Sequence, residues 1–250
     1  YRPLLDVYDQ LQTIRPYYDF LDVDIDRYTI SNAYRQVMLS TRELSQSRLT
    51  SKAQTWVNQK LVYTHGYGVS MSPVNEIAPD GSPNFFLKNI PPVGAFTIDR
   101  PAIYFGEKQE GNYVIVRTRT PEFDYPLGDQ NATTTYSGAD GVGVGGFFRR
   151  LLFALRFGDI NIVLTDATTP ESRILMNRNI QQRIHLLAPF LELDHDPYIV
   201  VADGKLYWIQ DAYTITDRYP YSDPHQGGFN YIRNSVKVVI DAYDGTTTLY

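Results

Sequence analysis

The spacing of apolar side chains changes several times along the chain. Leu4, Val7, Tyr8, Leu11 and Ile14 recur at three- and four-residue steps ahead of Pro16, which predicts a helix over 3–14. From Leu21 to Asp26 the order is strictly apolar then acidic. That predicts a half-exposed strand, with Leu21, Val23 and Ile25 on one face and Asp22, Asp24 and Asp26 on a solvated one. Residues 34–39 read as further strand, and 53–61 as a helix joined by Ala53, Trp56, Val57 and the Lys60 stem. Glycines and prolines crowd the stretch from Gly66 to Gly94 and leave room only for brief strands such as 85–87. The segments 102–105 and 113–119, rich in Ile, Val and Tyr, read as a hairpin across Glu107–Asn112, and 121–146 reads as a glycine-containing loop.

The second half is more helical at first. Phe147–Phe157 forms an apolar stretch of helical period. Thr169, Pro170 and Glu171 make a good helix start, and Met176, Ile180, Ile184, Leu187 and Leu191 continue at steps of four, four, three and four. This is the clearest predicted helix. Asp203-Gly204 between two apolar runs predicts a β-hairpin with a type I′ turn, and Asp244-Gly245 predicts a terminal hairpin over 236–250. The fold class expected is α+β: mixed, mostly antiparallel sheets with a few helices and terminal β-hairpins. Its organisation reads as a strand-rich N-terminal lobe over 1–120, the loop over 121–146 and a helix-plus-hairpin lobe over 147–250, or one continuous domain.

Composition narrows the function. With 43% hydrophobic and 20% charged residues, the chain resembles an ordinary globular protein and can bury a core. A net charge of -5 without a long basic run argues against nucleic acid as a partner. The absence of cysteine removes disulfides, thiolate chemistry and cysteine-ligated metal sites. The apolar windows 147–157 and 199–202 are shorter than the roughly 20 residues needed for a spanning helix. No leader segment follows Tyr1, so the sequence is read as a fragment that does not itself span a membrane.

Several groups of polar residues invite chemistry. Glu192, Asp194, His195 and Asp196 gather three carboxylates and an imidazole within five residues, although solvated or hydrogen-bonded loop side chains are the favoured account. Asp22, Asp24 and Asp26 open like a calcium loop, but Arg27 and Ala33 stand where such a loop needs Gly and Glu. Gly141, Gly143, Gly145 and Gly146 lack the flanks of a phosphate loop. On 147–157, Arg149, Arg150 and Arg156 share about a third of the helix circumference, which suits either contact with anionic lipid or a partner, or a core helix whose arginines reach water; the core reading is favoured. His65 titrates in the range of a general base but has no nucleophile paired with it in the sequence. No cofactor and no metal are expected, and neither His65 nor His195 is expected to hold the fold together.

The stretches Gln54–Gly68 and Tyr231–Tyr243, supported by Arg2-Pro3-Leu4-Leu5, Tyr34–Met38 and Arg218–Ser222, resemble uncharacterised protein family 0182. The resemblance implies a bacterial integral membrane protein with several transmembrane helices ahead of this segment. It also implies that the segment lies on the extracytoplasmic side of the cell membrane, with the remainder of its own membrane-spanning chain as one partner and an envelope polymer or another protein as a further one. It implies no reaction. The leading functional expectation is therefore a binding or structural interaction domain. The alternative is an envelope-acting enzyme using Glu192, Asp194, His195 and His65. A third reading likens the terminal hairpin to a small regulatory module of the PepSY type.

Overall fold

The structure, a computed structural model, describes residues 2–109, 111–128 and 130–250. Glu110 and Asp129, which fall in the two predicted connections, lie outside the described residues. The class is α+β with small, antiparallel sheets, as the pattern predicted.

The N-terminal sheet runs in the order Asp24–Ile30, Ala33–Thr41, Val69–Pro73, Leu87–Lys88 and Val93–Gly94. Ser31 and Asn32 join its first two strands, both with positive φ, as a two-residue hairpin requires. In the C-terminal sheet the long strand Lys205–Thr216 pairs with Glu192–Leu193 and Tyr198–Ala202 on one side and with Tyr231–Asp241 on the other, and Tyr231–Asp241 carries Thr247–Leu249. A third sheet places Arg173–Met176 between Tyr113–Val116 and Val142–Gly143.

One buried cluster unites the two large sheets: Val37, Leu39 and Met71 belong to the same core as Trp208, Val238 and Ile240. Trp208 is almost wholly buried, and its indole N–H donates to Phe105 O at 2.9 Å. Helix α1 (Arg2–Gln12) docks on the N-terminal sheet through buried Tyr8, whose hydroxyl donates to Met38 O at 3.1 Å and meets Ser72 Oγ at 2.6 Å. Helices α2 (Phe147–Phe157) and α3 (Asn161–Leu164) cover the third sheet around Ala154, Ile162 and Ile174. Helix α4 (Ile180–Leu187) is capped by Asn179, whose side chain accepts from Gln182 N at 3.0 Å. Among the described residues, no helix is long and apolar enough to cross a membrane.

Four local expectations are corrected. The helix begun at Thr169 is a turn, in which Thr169 and Ser172 hydroxyls donate to Arg117 O, followed by the central strand Arg173–Met176; helix starts only at Ile180. Ile174 and Leu175 are fully buried on opposite faces, which a short apolar run permits as readily as a helical stripe does. The segments 102–105 and 113–119 do not pair with each other: Ala102–Ile103 joins Gly66–Tyr67, and Tyr113–Val116 joins Arg173–Met176. The stretch 121–146 holds the hairpin Glu122–Leu127/Gln130–Thr134 and the strand Val142–Gly143. The 53–61 helix shrinks to one turn with a widened end over Asn58–Val62.

Candidate functional site

The acidic alternation at 22–26 leads to the best-formed site. Asp22 and Asp24 are two residues apart, so their side chains leave the same face of the chain. At Asp24 that face is buried, while Asp22 and Asp26 stay partly exposed, which corrects the expectation of a wholly solvated face. The N-terminal sheet turns it toward the edge strand Tyr198–Ala202 of the C-terminal sheet. Asp24 accepts from Ile199 N at 3.0 Å, and Tyr28, four residues on, accepts from Val201 N at 2.9 Å. Side chains of one sheet thus satisfy outward N–H groups on the edge of the other, which locks the two sheets together and blunts that edge.

Asp196, in the segment leading into the same edge strand, completes the cluster. Carboxylate oxygens of Asp22, Asp24 and Asp196 lie within 4.8 Å of one another. They line a cavity of about 540 Å³ whose remaining walls include Leu5, Val23, Ile25 and Tyr198. Asp24 is only 7% exposed, and Asp196 is open to solvent. Burial and then the neighbouring Asp22 push the Asp24 carboxyl up to about 8, against the opposing pull of the Ile199 N–H. Burial and Asp196 lift Asp22 to about 6. Glu107 is raised to about 9 by burial and by Asp22, Glu43, Asp24 and Asp196, which places a fourth acid within reach of the same field. Among the described residues, none of Asp22, Asp24 and Asp196 forms an ion pair with Lys, Arg or His. Negative charge gathered in this way needs either protons or a cation. An all-oxygen set suits calcium or another hard cation and offers no nitrogen or sulfur to zinc.

The other sequence candidates fall in different places. Glu192, Asp194 and His195 line a shallow groove of about 610 Å³ with His185 and Leu186. Asp194 is already engaged: it accepts from Tyr213 Oη at 2.6 Å and from Asp196 N at 3.1 Å, and these bonds hold its carboxyl below the usual range. His65 is not part of that groove's lining and is fully buried. Its Nδ1 lies 3.0 Å from Gly66 O, its ring packs 4.5 Å from Tyr104, and Nε2 has no hydrogen-bond partner among the described residues, with Asp124 at 4.0 Å. Burial pushes its imidazole down to about 4, so it is neutral at pH 7 and sealed from any substrate. Beside it, Glu122 accepts from Thr64 Oγ1 at 2.7 Å and Tyr104 Oη at 2.8 Å, while Arg178 donates to Thr64 O. This network is part of the core.

On α2, Ala154 packs into the core and Arg149 and Arg156 are exposed, but Arg150 turns inward and donates to Thr165 O at 3.2 Å and Thr168 Oγ1 at 3.1 Å, whereas Phe148, Leu152 and Leu155 face solvent. Sequence reasoning had singled out Asp22 and Asp24 in one group and Asp196 in another. Only the meeting of the two sheets brings them together.

Fold and site together define an α+β protein of small antiparallel sheets with a pocket carrying three carboxylates at the junction of the two largest. No solved structure matches the chain. The chain belongs to the Uncharacterised protein family (UPF0182), whose model matches residues 1–250. It is 57% identical over 252 residues to a UPF0182 protein of Cupriavidus necator, covering 100% of this chain and 28% of that relative. It is 53% identical over 252 residues to one of Pelotomaculum thermopropionicum, with 28% of that protein covered. With a UPF0182 protein of Trichodesmium erythraeum it shares 50% identity over 271 residues, 29% of that protein. The chain therefore spans a little over a quarter of the length of these bacterial relatives.

Proposed function

We propose that this chain is a non-catalytic binding module on the extracytoplasmic side of a larger bacterial membrane protein, and that its acidic pocket holds a divalent cation of the calcium class. The observation that carries the cation site is the set of three carboxylates, from two sheets, within 4.8 Å around one cavity. A cation there displaces the proton that Asp24 otherwise holds near neutral pH, and it ties Asp196 and the edge strand to Asp22 and Asp24. The remaining coordination positions fall to water in the open part of the cavity. Partial cages of this kind correspond to the weak affinities, about 10⁻⁴ to 10⁻³ M, of extracellular calcium modules. The family resemblance supports the membrane-bound parent, with the remainder of that longer protein as one partner and an envelope polymer or protein as the other. The alternative of an envelope-acting enzyme is weaker, because His65 is sealed and Asp194 is occupied by Tyr213.

Thermal melting of chelator-treated protein with and without calcium tests the reading. Calcium raises the melting temperature of the wild-type chain, and Asp24→Asn/Asp196→Asn removes the effect. No shift up to roughly 10 mM calcium, a decade above the weak end of such modules, refutes it.

A further inference from the structure

Helix α2 has two apolar sides, and only one of them meets the protein. Ala154 is buried, Phe157 stacks on Tyr113 at 4.7 Å, and Arg150 is held by the 165–168 segment. At 100° per residue the opposite side carries Phe148, Leu152 and Leu155, which are 69%, 50% and 73% exposed. Phe147 at the start of the helix and Ile160 and Leu164 at α3 are further apolar side chains, all three more than half exposed. A helix apolar all round is ordinarily enclosed, and a contiguous exposed apolar patch marks a surface that meets something.

The charges at the margin indicate what it meets. Arg149 and Arg156 lie at its edge, both exposed, and neither is ion-paired among the described residues. The one acid in this stretch, Asp159, is turned inward, where it accepts from Tyr113 Oη at 2.6 Å and Trp56 Nε1 at 2.8 Å. Gly146, the N-cap, supplies no side-chain acceptor, so the positive end of the helix dipole adds to the field of Arg149. A chain of net charge -5 thus presents two exposed arginines along one edge of its apolar helix face. Self-association through this face would crowd the same arginines together, whereas an anionic bilayer surface complements both the arginines and the patch.

We propose that the outward face of α2 docks in the plane of a membrane leaflet containing anionic phospholipid. Phe148, Leu152 and Leu155 enter the headgroup–acyl boundary, and Arg149 and Arg156 contact lipid phosphates. The proposal is independent of the acidic pocket.

Co-sedimentation with vesicles tests it. The 250-residue chain is mixed, in EDTA so that no calcium bridges protein to lipid, with vesicles of phosphatidylcholine alone or of phosphatidylcholine with phosphatidylglycerol. Binding is expected to the anionic vesicles and not to the neutral ones. Arg149→Glu/Arg156→Glu lowers partitioning by at least about 25-fold, at about fivefold per lost cationic contact. Leu152→Glu/Leu155→Glu abolishes it, and because all four residues are exposed, both variants keep the wild-type melting temperature. The proposal is overturned if the wild type ignores phosphatidylglycerol vesicles, or if it binds them and both double variants bind equally well. It is also overturned if the wild type is a dimer in solution that Leu152→Glu/Leu155→Glu converts to monomer.

Discussion

Replacing Asp24 by Asn isolates the electrostatics of the pocket from its packing. The amide keeps the shape and an oxygen to accept the Ile199 N–H, but removes the charge. In an unfolded chain an aspartate titrates near about 3.9; in the folded protein Asp24 does so at about 8. Between those limits the unfolded state binds fewer protons than the native state. The Asp24 contribution is therefore fully present below about pH 4 and is lost as pH rises through 8. A displacement of about four pH units at 1.36 kcal/mol each sets a ceiling of roughly 5 kcal/mol. Asp22 titrates together with Asp24, and solvent in the open cavity screens both, so about 2 kcal/mol is the expected effect. In urea unfolding with EDTA present, Asp24→Asn should match the wild type within about 1 kcal/mol at pH 5 and exceed it by about 2 kcal/mol at pH 8.5. Asp24→Ala strands a buried N–H and should cost about 1–3 kcal/mol at both pH values. The reasoning fails if Asn and Ala are equally destabilising at every pH, since the carboxylate would then act only as a hydrogen-bond acceptor.

Trp208→Ala removes the largest buried side chain and the donor to Phe105 O, and a loss of about 3–5 kcal/mol is expected by denaturant titration. Asn179→Ala removes the α4 cap and the bond from its amide to Glu107 O; the expected cost is about 1–2 kcal/mol, read the same way. His65→Ala should cost about 2 kcal/mol because it empties a sealed site against Tyr104, whereas exposed His195→Ala should stay within about 0.5 kcal/mol. Because burial depresses the His65 pKa to about 4, its contribution is lost as pH falls from about 6.5 toward 4, and His65→Ala should flatten that acid limb.

Local turn chemistry was the most legible part of the fold. Asp203 and Gly204 both take positive φ, as the Asp-Gly pair between apolar runs requires. Gly204 further admits Asp99, whose carboxylate would lie 2.4 Å from an added Cβ. The second Asp-Gly makes a longer loop with Gly245 alone of the pair at positive φ, yet the hairpin it predicts is present. Helix α1 followed from its period and Pro16. What failed was partner choice. The helix read from Thr169 through Met176 is a strand at Arg173–Met176 because Tyr113–Val116 and Val142–Gly143 supply a ladder on each side. The acids of 22–26 looked solvated because alternation shows which side chains share a face, not what covers it. The covering strand lies about 175 residues later, the separation of Asp24 from Ile199. The inward turn of Arg150 was hidden for a related reason, since its acceptors are backbone and hydroxyl oxygens of the 163–168 segment.

The most direct test of the cation pocket is calorimetric titration of calcium into chelator-treated protein at neutral pH, run in two buffers of different ionisation enthalpy so that released protons are counted. The account predicts a saturable one-to-one isotherm accompanied by proton release, because Asp24 and Glu107 stand above pH 7 and Asp22 near 6 until a cation displaces their protons. It also predicts that Asp24→Asn/Asp196→Asn yields only heats of dilution. A flat titration of the wild type, or binding that survives unchanged in the double variant, would contradict it.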